Sequence, residues 1–419
     1  MTQIADRHLE TDPASGDSAA RRRVPVLEDE TAVAEARRLA ETFAAGAAAR
    51  DRDRVLPYEQ VDELAEAGLL ALTVPAAYGG PDVSASTLTE VFRLIATADP
   101  NIAQIPHSHF VYANLVRVAG TPEQQRFFFS ELLEGGRFGN AQSELKTPGV
   151  NVVETRLTRD EPGWFRLNGA KGYCTGAIFA TWIPVLARLD DGTPEGGEEL
   201  VAFVERSAEG VTVVDDWGGM GQRTTASGTV ELHGVRVAAE HVVRRGKAFD
   251  GPHSYGAFAQ LLHAAIEVGI ARGVLDEAAD FVRTQARPHY EAQVQRAQDD
   301  PLVIQRFGEL TVEVRVAEAT LRAAGEAVDR ALADPTDETA AEASLAVATA
   351  KIVAEQAALA LTNGIFEVSG TRSAAASLGL DRHWRNARTH TLHDPVRWKY
   401  HHLGRWTLLG VRPPRHGQI

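Results

Sequence analysis

Apolar and polar positions recur with two different periods along the 419-residue chain, and the changes of period divide it into three parts. From Thr31 to Arg50 the composition is dominated by Ala, Leu and Glu, which favours helix. Tyr58–Ala67 spaces Val61, Leu64 and Ala65 on one helical face, with Gly68 placed to close the helix. Ala71–Pro75 reads as a short extended piece before a turn at Tyr78-Gly79-Gly80-Pro81. Helical spacing resumes in Ser84–Ala98 and Phe110–Val118. Thr121-Pro122-Glu123 then offers an N-cap, a first-position proline and an acidic first turn for a helix reaching Leu133.

Near Arg137 the period shortens. Phe165 and Leu167 alternate with Arg166 and Asn168, and Asn168-Gly169 predicts a hairpin turn. Trp182–Arg188, Leu200–Glu205, Val211–Val214 and Thr229–Leu232 are β-branched or apolar runs between Gly, Asp and Pro clusters, as in short strands, and Ala238–Val242 leads out. The helical period returns at Tyr255. Phe258–Arg287, Leu302–Ala331 and Thr339–Ser369 are long segments with few breakers, as in a bundle. The order predicts an α+β chain: a mobile tail over 1–30, an N-terminal helical domain over 31–136, a central β domain over 137–250 and a C-terminal helical bundle over 251–419.

The late segment Asp381–Tyr400, DRHWRNARTHTLHDPVRWKY, predicts a helix to about His393 and a second one opened by Asp394 as N-cap with Pro395 at its first position. At helical spacing His383, Asn386, His390 and His393 share one stripe. The stripe is either a solvated or subunit-contacting face or a functional one; imidazoles titrate near neutral pH and suit acid–base work.

Composition narrows the classes. Apolar content of 44% and charged content of 24% are ordinary for a globular chain, while a net charge of −14 argues against nucleic acid or an anionic membrane as main partner. Cys174 is the one cysteine, so an intrachain disulfide and a Cys-built zinc site are both excluded. No apolar run of transmembrane length and no secretory leader are read, and a cytoplasmic location is expected. Arg21-Arg22-Arg23 reads as a solvated charge run. No GxGxxG opens a βαβ unit, which gives no support for direct nicotinamide binding, and His390 and His393 lack the HExxH arrangement of a zinc hydrolase, so no metal site is expected.

Four stretches in this helix–sheet–helix order carry a family likeness: Arg137–Glu144 (RFGNAQSE), Ala170–Gly176 with Tyr173-Cys174-Thr175, Gly221–Ser227 (GQRTTAS) and Gly370–Ser373 (GTRS). With them, residues 31–410 resemble the acyl-CoA dehydrogenase superfamily. The resemblance implies a central β-barrel or sandwich domain, a C-terminal four-helix bundle and a homotetramer centred on the bundles. Dehydrogenases of that superfamily need a carboxylate base, often a late glutamate, but here the region reads Thr389-His390-Thr391-Leu392-His393-Asp394-Pro395. The segment WRNARTHTLHDP is instead similar to the flavin-dependent monooxygenase branch, in particular to sulfur-acquisition oxidoreductases of the SfnB type and the dibenzothiophene monooxygenases.

That likeness implies reduced FMN (FMNH2) delivered by a separate NAD(P)H-dependent flavin reductase, O2, a flavin C4a-hydroperoxide and a small organosulfur substrate. It implies a proton relay by His393 or His390, with His109 facing the substrate and His107 as a lesser candidate. Thr175 would meet the flavin edge and Asn140 would line the oxygen or substrate side. Trp217 would stack near the ring, wall the pocket or be a core aromatic. Arg223 belongs to the segment approaching phosphate or substrate, and Arg287 and Arg372 are expected on the FMN phosphate, against a surface ion-pairing alternative. Cys174 reads as packing. Two alternatives stay open: an FAD-dependent acyl-CoA dehydrogenase and a non-catalytic helical scaffold.

Overall fold

The structure, a computed structural model, describes residues 23–149, 152–192 and 197–419. Most of the expected tail, including Arg21 and Arg22, lies outside the described residues. Residues 23–30 are packed rather than trailing. The Val24 amide donates to the Leu133 carbonyl, Leu27 lies against the core, and the first helix already begins at Asp29.

The N-terminal unit consists of α1 (Asp29–Ala44), α2 (Ala47–Asp53), α3 (Tyr58–Glu66), α4 (Ala85–Ala98), α5 (Pro100–Gln104), α6 (His107–Ala119) and α7 (Pro122–Leu133). The start of α7 follows from its cap: the Thr121 hydroxyl accepts from the Gln124 amide, and the Gln124 side chain accepts from that of Thr121. Ala71–Pro75 is not extended. It forms turns, because its apolar side chains Ala71, Leu72 and Val74 are all drawn inward where a strand would alternate.

The middle unit is one mixed seven-stranded sheet. It comprises β1 (Arg156–Arg159), β2 (Trp164–Lys171), β3 (Trp182–Leu189), β4 (Glu199–Glu205), β5 (Val211–Val214), β6 (Thr229–Ala238) and β7 (Val242–Arg244), in the order β5-β6-β2-β1-β3-β4-β7. All neighbours are antiparallel except β1 and β3. Asn168-Gly169 does not turn the chain. It sits inside β2, where pairing with β6 slips between Leu167 and Gly169, and the Asn168 side chain accepts from the Gly234 amide across the ladder. A Cβ at Gly169 would meet Thr155, so the glycine serves close approach at an irregularity.

The C-terminal unit holds three long helices, α8 (Tyr255–Thr284), α9 (Pro301–Ala333) and α10 (Asp337–Ser369), followed by α11 (Asp381–His390) and α12 (Arg397–Leu409), which pack on α10. By length and composition α8 and α10 are apolar enough to cross a membrane, contrary to the sequence expectation. In this fold they are core helices, the most apolar window of α8 being 89% buried. One continuous core joins the first and third units: Leu88, Val91, Phe92 and Ile95 of α4 meet Leu261, Leu262, Ile266 and Ile270 of α8. Each such side chain contributes about 2 kcal/mol by leaving water. Gly269 lets the backbones close, since a Cβ there would lie 2.5 Å from that of Ala96.

Candidate active site

His263 and Glu267 stand one turn apart in Tyr255–Ala271, the first half of α8, which is buried on every face and otherwise almost wholly apolar. Burial of such groups is tolerable only with partners, and other helices supply them. Lys351 of α10 places Nζ 2.6 Å from Glu267 Oε1. His390, the last residue of α11, places Nδ1 3.0 Å from the same oxygen and Nε2 3.2 Å from His263 Nδ1. The side-chain oxygen Oε1 of Gln104, at the end of α5, is also 3.2 Å from His390 Nε2.

Two further imidazoles complete the group. His107, first residue of α6, donates from Nε2 to the Ala259 carbonyl at 2.9 Å and stacks on His263 with ring centroids 3.8 Å apart. His393 lies 4.0 Å from the His263 ring and 6.3 Å from that of His107. It is the half-exposed member; the other three are buried. Burial drives the protonation state. His107 is pushed down to about 3, and His263 and His390 also fall below the ordinary histidine value, so all three are neutral at pH 7. Burial alone would raise Glu267, but the Lys351 ammonium and His390 outweigh it and hold the carboxylate below its usual range.

The expected stripe divides. α11 ends at His390, so His393 sits beyond the helix and reaches the cluster from the connection to α12. His383 turns away to Glu277, 2.7 Å distant, while Asn386 accepts from the Gln222 amide at 2.7 Å and ties α11 to the sheet unit. Asp394 is not an N-cap. Its peptide precedes a tight turn, α12 begins at Arg397, and the carboxylate is buried with Oδ2 2.9 Å from Lys399 Nζ. Burial opposes its ionisation, but His393, Lys399 and Lys351 prevail and hold it well below the usual carboxylate range. His109, expected toward the substrate, has both nitrogens engaged by backbone: Nδ1 accepts from the Phe138 amide and Nε2 donates to the Leu70 carbonyl. The lesser candidate, His107, is the one in the cluster.

On the sheet side, three hydroxyls form a line. Thr225 donates to the Gln222 carbonyl at 3.0 Å, Ser227 lies 2.7 Å from Thr225, and Thr175 lies 2.7 Å from Ser227. Each hydroxyl carries one proton. With Thr225 committed to the carbonyl, Ser227 donates to Thr225 and Thr175 donates to Ser227. Thr175 Oγ1 therefore faces any ligand with lone pairs only. Tyr173, Gln222 and Ala226, which bracket the line, have φ of 55°, 51° and 47°, left-handed values that cost energy for residues with a side chain. The Gln222 side-chain amide is buried with neither polar atom partnered.

Trp217 donates to the Gln222 carbonyl at 2.7 Å and meets Tyr173 edge-on, and Asn140 donates to the Tyr173 carbonyl at 3.1 Å, so both border this line. Asn101 of α5 accepts from the Thr224 amide. Helices α5 and α11 thus touch the hydroxyl line and the histidine cluster alike.

The arginines are elsewhere. Arg223 donates toward the Arg52 carbonyl. Arg287 and Arg372 are exposed, Arg372 donating to the Gln285 carbonyl past the far end of α8, about 30 Å along the helix from His263 at 1.5 Å per residue. Within one chain they do not converge with Thr175. Cys174 is buried packing, its thiol pushed up to about 12 by burial. Among the described residues no group of three or more His, Cys, Asp or Glu side chains has an arrangement suited to a metal ion.

Sequence reasoning passed over His263, Glu267, Lys351, Gln104 and Lys399, and met Ser227 only as the end of the Gly221–Ser227 segment. One signal was available: Lys351 is the lone charge in the apolar run Ala343–Ala354.

Comparison with known proteins agrees with this architecture. Residues 27–136, 141–235 and 261–398 match the N-terminal, middle and C-terminal domains of acyl-CoA dehydrogenase. A dibenzothiophene monooxygenase of Rhodococcus erythropolis is 35% identical over 92% of this chain and 95% of its own. The probable FMNH2-dependent monooxygenase SfnC of Pseudomonas putida is 33% identical over 91% of this chain and 96% of its own. The crystal structure of FMN-bound TdsC from Paenibacillus sp. A11-2 superposes with a TM-score of 0.86 at 32% identity, covering 93% of this chain and 100% of that one. With its three domains in this order and its histidine-rich α11 region, the chain belongs to the acyl-CoA dehydrogenase family, on the branch that holds the dibenzothiophene monooxygenases.

Proposed function

We propose that this protein is a monooxygenase that uses reduced FMN and O2 to oxygenate a small organosulfur compound in sulfur acquisition, its FMNH2 coming from a separate NAD(P)H-dependent flavin reductase. The observation that carries the reading is the state of Asp394. It is the carboxylate of the segment where a dehydrogenase needs a base, but it is buried on Lys399, which with His393 and Lys351 holds it well below the usual carboxylate range, so it stays ionised at neutral pH and is a weak proton acceptor. The half-exposed group beside it is an imidazole, His393, 3.5 Å away. The similarity to enzymes named for dibenzothiophene and for FMNH2 supports substrate class and cofactor.

The residues present fit a flavin in its reduced form. Thr175, with its proton given to Ser227, offers lone pairs to an N–H donor, and a reduced flavin ring carries an N–H where the oxidised ring has an acceptor. Asn140 and Trp217 would border the ring, and the unpartnered Gln222 amide offers a donor and an acceptor to whatever lies there. Bound reduced FMN supplies two electrons and activates O2. The protein's own part is to exclude water and to hold and pass a proton, with His393 as the half-exposed relay and the buried imidazoles of the cluster behind it.

Arg287 and Arg372 would serve a flavin phosphate only from another copy of the chain. That agrees with a homotetramer, as do the exposed apolar side chains Trp398, Trp406 and Leu408 on α12 and Val312 and Val316 on α9. A cytoplasmic location is part of the proposal, supported by the single buried thiol.

The test is anaerobic titration with reduced FMN followed by mixing with O2 and an organosulfur compound. Tight binding, a transient near-ultraviolet absorbance band and oxygenated product are expected. Bleaching of bound FAD by an acyl-CoA without O2 would establish dehydrogenation instead, and failure to bind FMN in either redox state would leave the scaffold alternative.

A further inference from the structure

Within the proposed monooxygenase reading, the inner groups of the histidine cluster have proton positions that can be deduced one from the next. Glu267 is ionised against Lys351. An ionised carboxylate only accepts, so His390 donates to it from Nδ1. Neutral His390 then presents a lone pair at Nε2, and His263 donates to that lone pair from Nδ1. Gln104 Oε1 stands 3.2 Å from the same nitrogen, and because an oxygen cannot donate to a lone pair, this tautomer requires the Gln104 amide turned over so that its NH2 faces His390. His263 is left with a lone pair at Nε2, on the ring edge away from His390. That nitrogen is buried and has no partner, and the ring is sandwiched by His107 and His393.

An unpartnered lone pair in the core costs free energy with no structural return. We propose that Lys351, Glu267 and His390 are positioning residues that hold His263 in its Nδ1–H form, and that His263 Nε2 is the internal proton acceptor of the relay, behind His393. A proton taken at Nε2 makes His263 an imidazolium whose Nδ1–H still bonds His390, and Glu267 is the nearest compensating charge along the line. The groups acting on it are His107 on α6, Lys351 on α10, His390 at the end of α11 and His393 beyond it, and these are tied in turn to Glu267 on α8, Glu355 on α10, and Asp394 with Lys399 of α12. Glu267, Glu355 and Asp394 favour the added charge, while the two ammoniums and the neighbouring imidazoles oppose it, so a proton that His393 gives up to Nε2 is held briefly and returned through His393.

The proposal makes a prediction that needs no flavin. Histidine tautomers are distinguished by 15N chemical shifts in protein labelled with 15N-histidine. At pH 7 the wild type shows His390 and His263 as Nδ1–H and His107 as Nε2–H, each preferred at least about tenfold, as one charge-assisted hydrogen bond dictates. Replacing the ion pair by apolar residues, Glu267→Leu with Lys351→Met, keeps the core filled and releases His390 from its acceptor. The tautomer preference of His263 then falls to within about threefold. With reduced FMN, O2 and substrate, the share of flavin oxidation ending in product falls at least about threefold, hydrogen peroxide takes the difference, and the pH profile of coupling shifts.

Spectra showing Nε2–H on His263, or a cationic His390, in the wild type at pH 7 would overturn the positioning line. So would unchanged tautomers in the double variant, whereas changed tautomers with unchanged coupling would remove His263 from the relay. If the protein does not bind reduced FMN, the functional reading fails, while the wild-type spectra still decide the line.

Discussion

Lys351 Nζ lies 2.6 Å from Glu267 Oε1, and neither side chain touches solvent. Two opposite charges removed from water to this degree gain little over a well-packed apolar pair, but either one left alone is costly. Lys351→Met by itself is expected to lower unfolding stability by about 3–5 kcal/mol, and the double Lys351→Met, Glu267→Leu variant to recover most of that. Urea unfolding of the three proteins checks it; equal losses for single and double variants would show that the pair is not coupled.

His393 is the half-exposed ring of the cluster, beside Asp394 and 4.0 Å from the ring of His263. Replacing it with Ala should leave flavin affinity unchanged and lower oxygenated product by roughly 10²-fold, in the range for loss of one acid–base group. Reoxidation continues and releases hydrogen peroxide instead. Full coupling in that variant would rule out His393 as the relay.

The direction of the Thr175–Ser227–Thr225 line predicts a redox preference in binding. Reduced FMN should bind more tightly than FMN. Ser227→Ala frees the Thr175 hydroxyl to donate, and the ratio of the two affinities should then shrink by about tenfold, the worth of one good hydrogen bond. Anaerobic and aerobic fluorescence titrations measure both constants; an unchanged ratio would mean that the line does not set the preference.

Acid stability follows from the buried imidazoles. Burial pushes His109 down to about 4, against about 6.5 in an unfolded chain. For a base whose folded pKa is depressed, the unfolded chain takes the proton first. The stabilisation is therefore whole above about pH 6.5 and drains as the pH falls toward 4, by about 3 kcal/mol for this group. His107, at about 3, adds to the same slope. Urea midpoints should fall steadily over this window, and His109→Phe should flatten the fall while lowering the midpoint at pH 7. A midpoint constant from pH 7 to 4.5 would contradict it.

Local signals made most of the elements readable. Thr121-Pro122 starts α7 where its capping chemistry requires, and the long bundle helices lie within a few residues of their apolar runs. Strand β1 was not legible because Arg156-Leu157-Thr158-Arg159 has one apolar side chain, and its place is set by pairing with β2 and β3. Asn168-Gly169 has hairpin composition, but the ladder with β6 runs through it. The site was half legible. His390 and His393 announce themselves by clustering in sequence, while His263 sits alone in an apolar helix and gains meaning only from His390, 127 positions away. Asp394-Pro395 carries the signature of a cap, and only the fold brings Lys399 to its carboxylate.

The interlocking of α4 with α8 bears on how this chain can be recombined. A Cβ at Gly269 would strike Ala96, and one at Gly273 would strike the Thr97 carbonyl. The whole sheet separates these helices in sequence, yet each forms one wall of a common interior. A crossover placed at either edge of the sheet, natural or engineered, therefore cuts that interior in two. Chimeras with relatives should survive only where both helices come from the same parent, so the first and last thirds are inherited together.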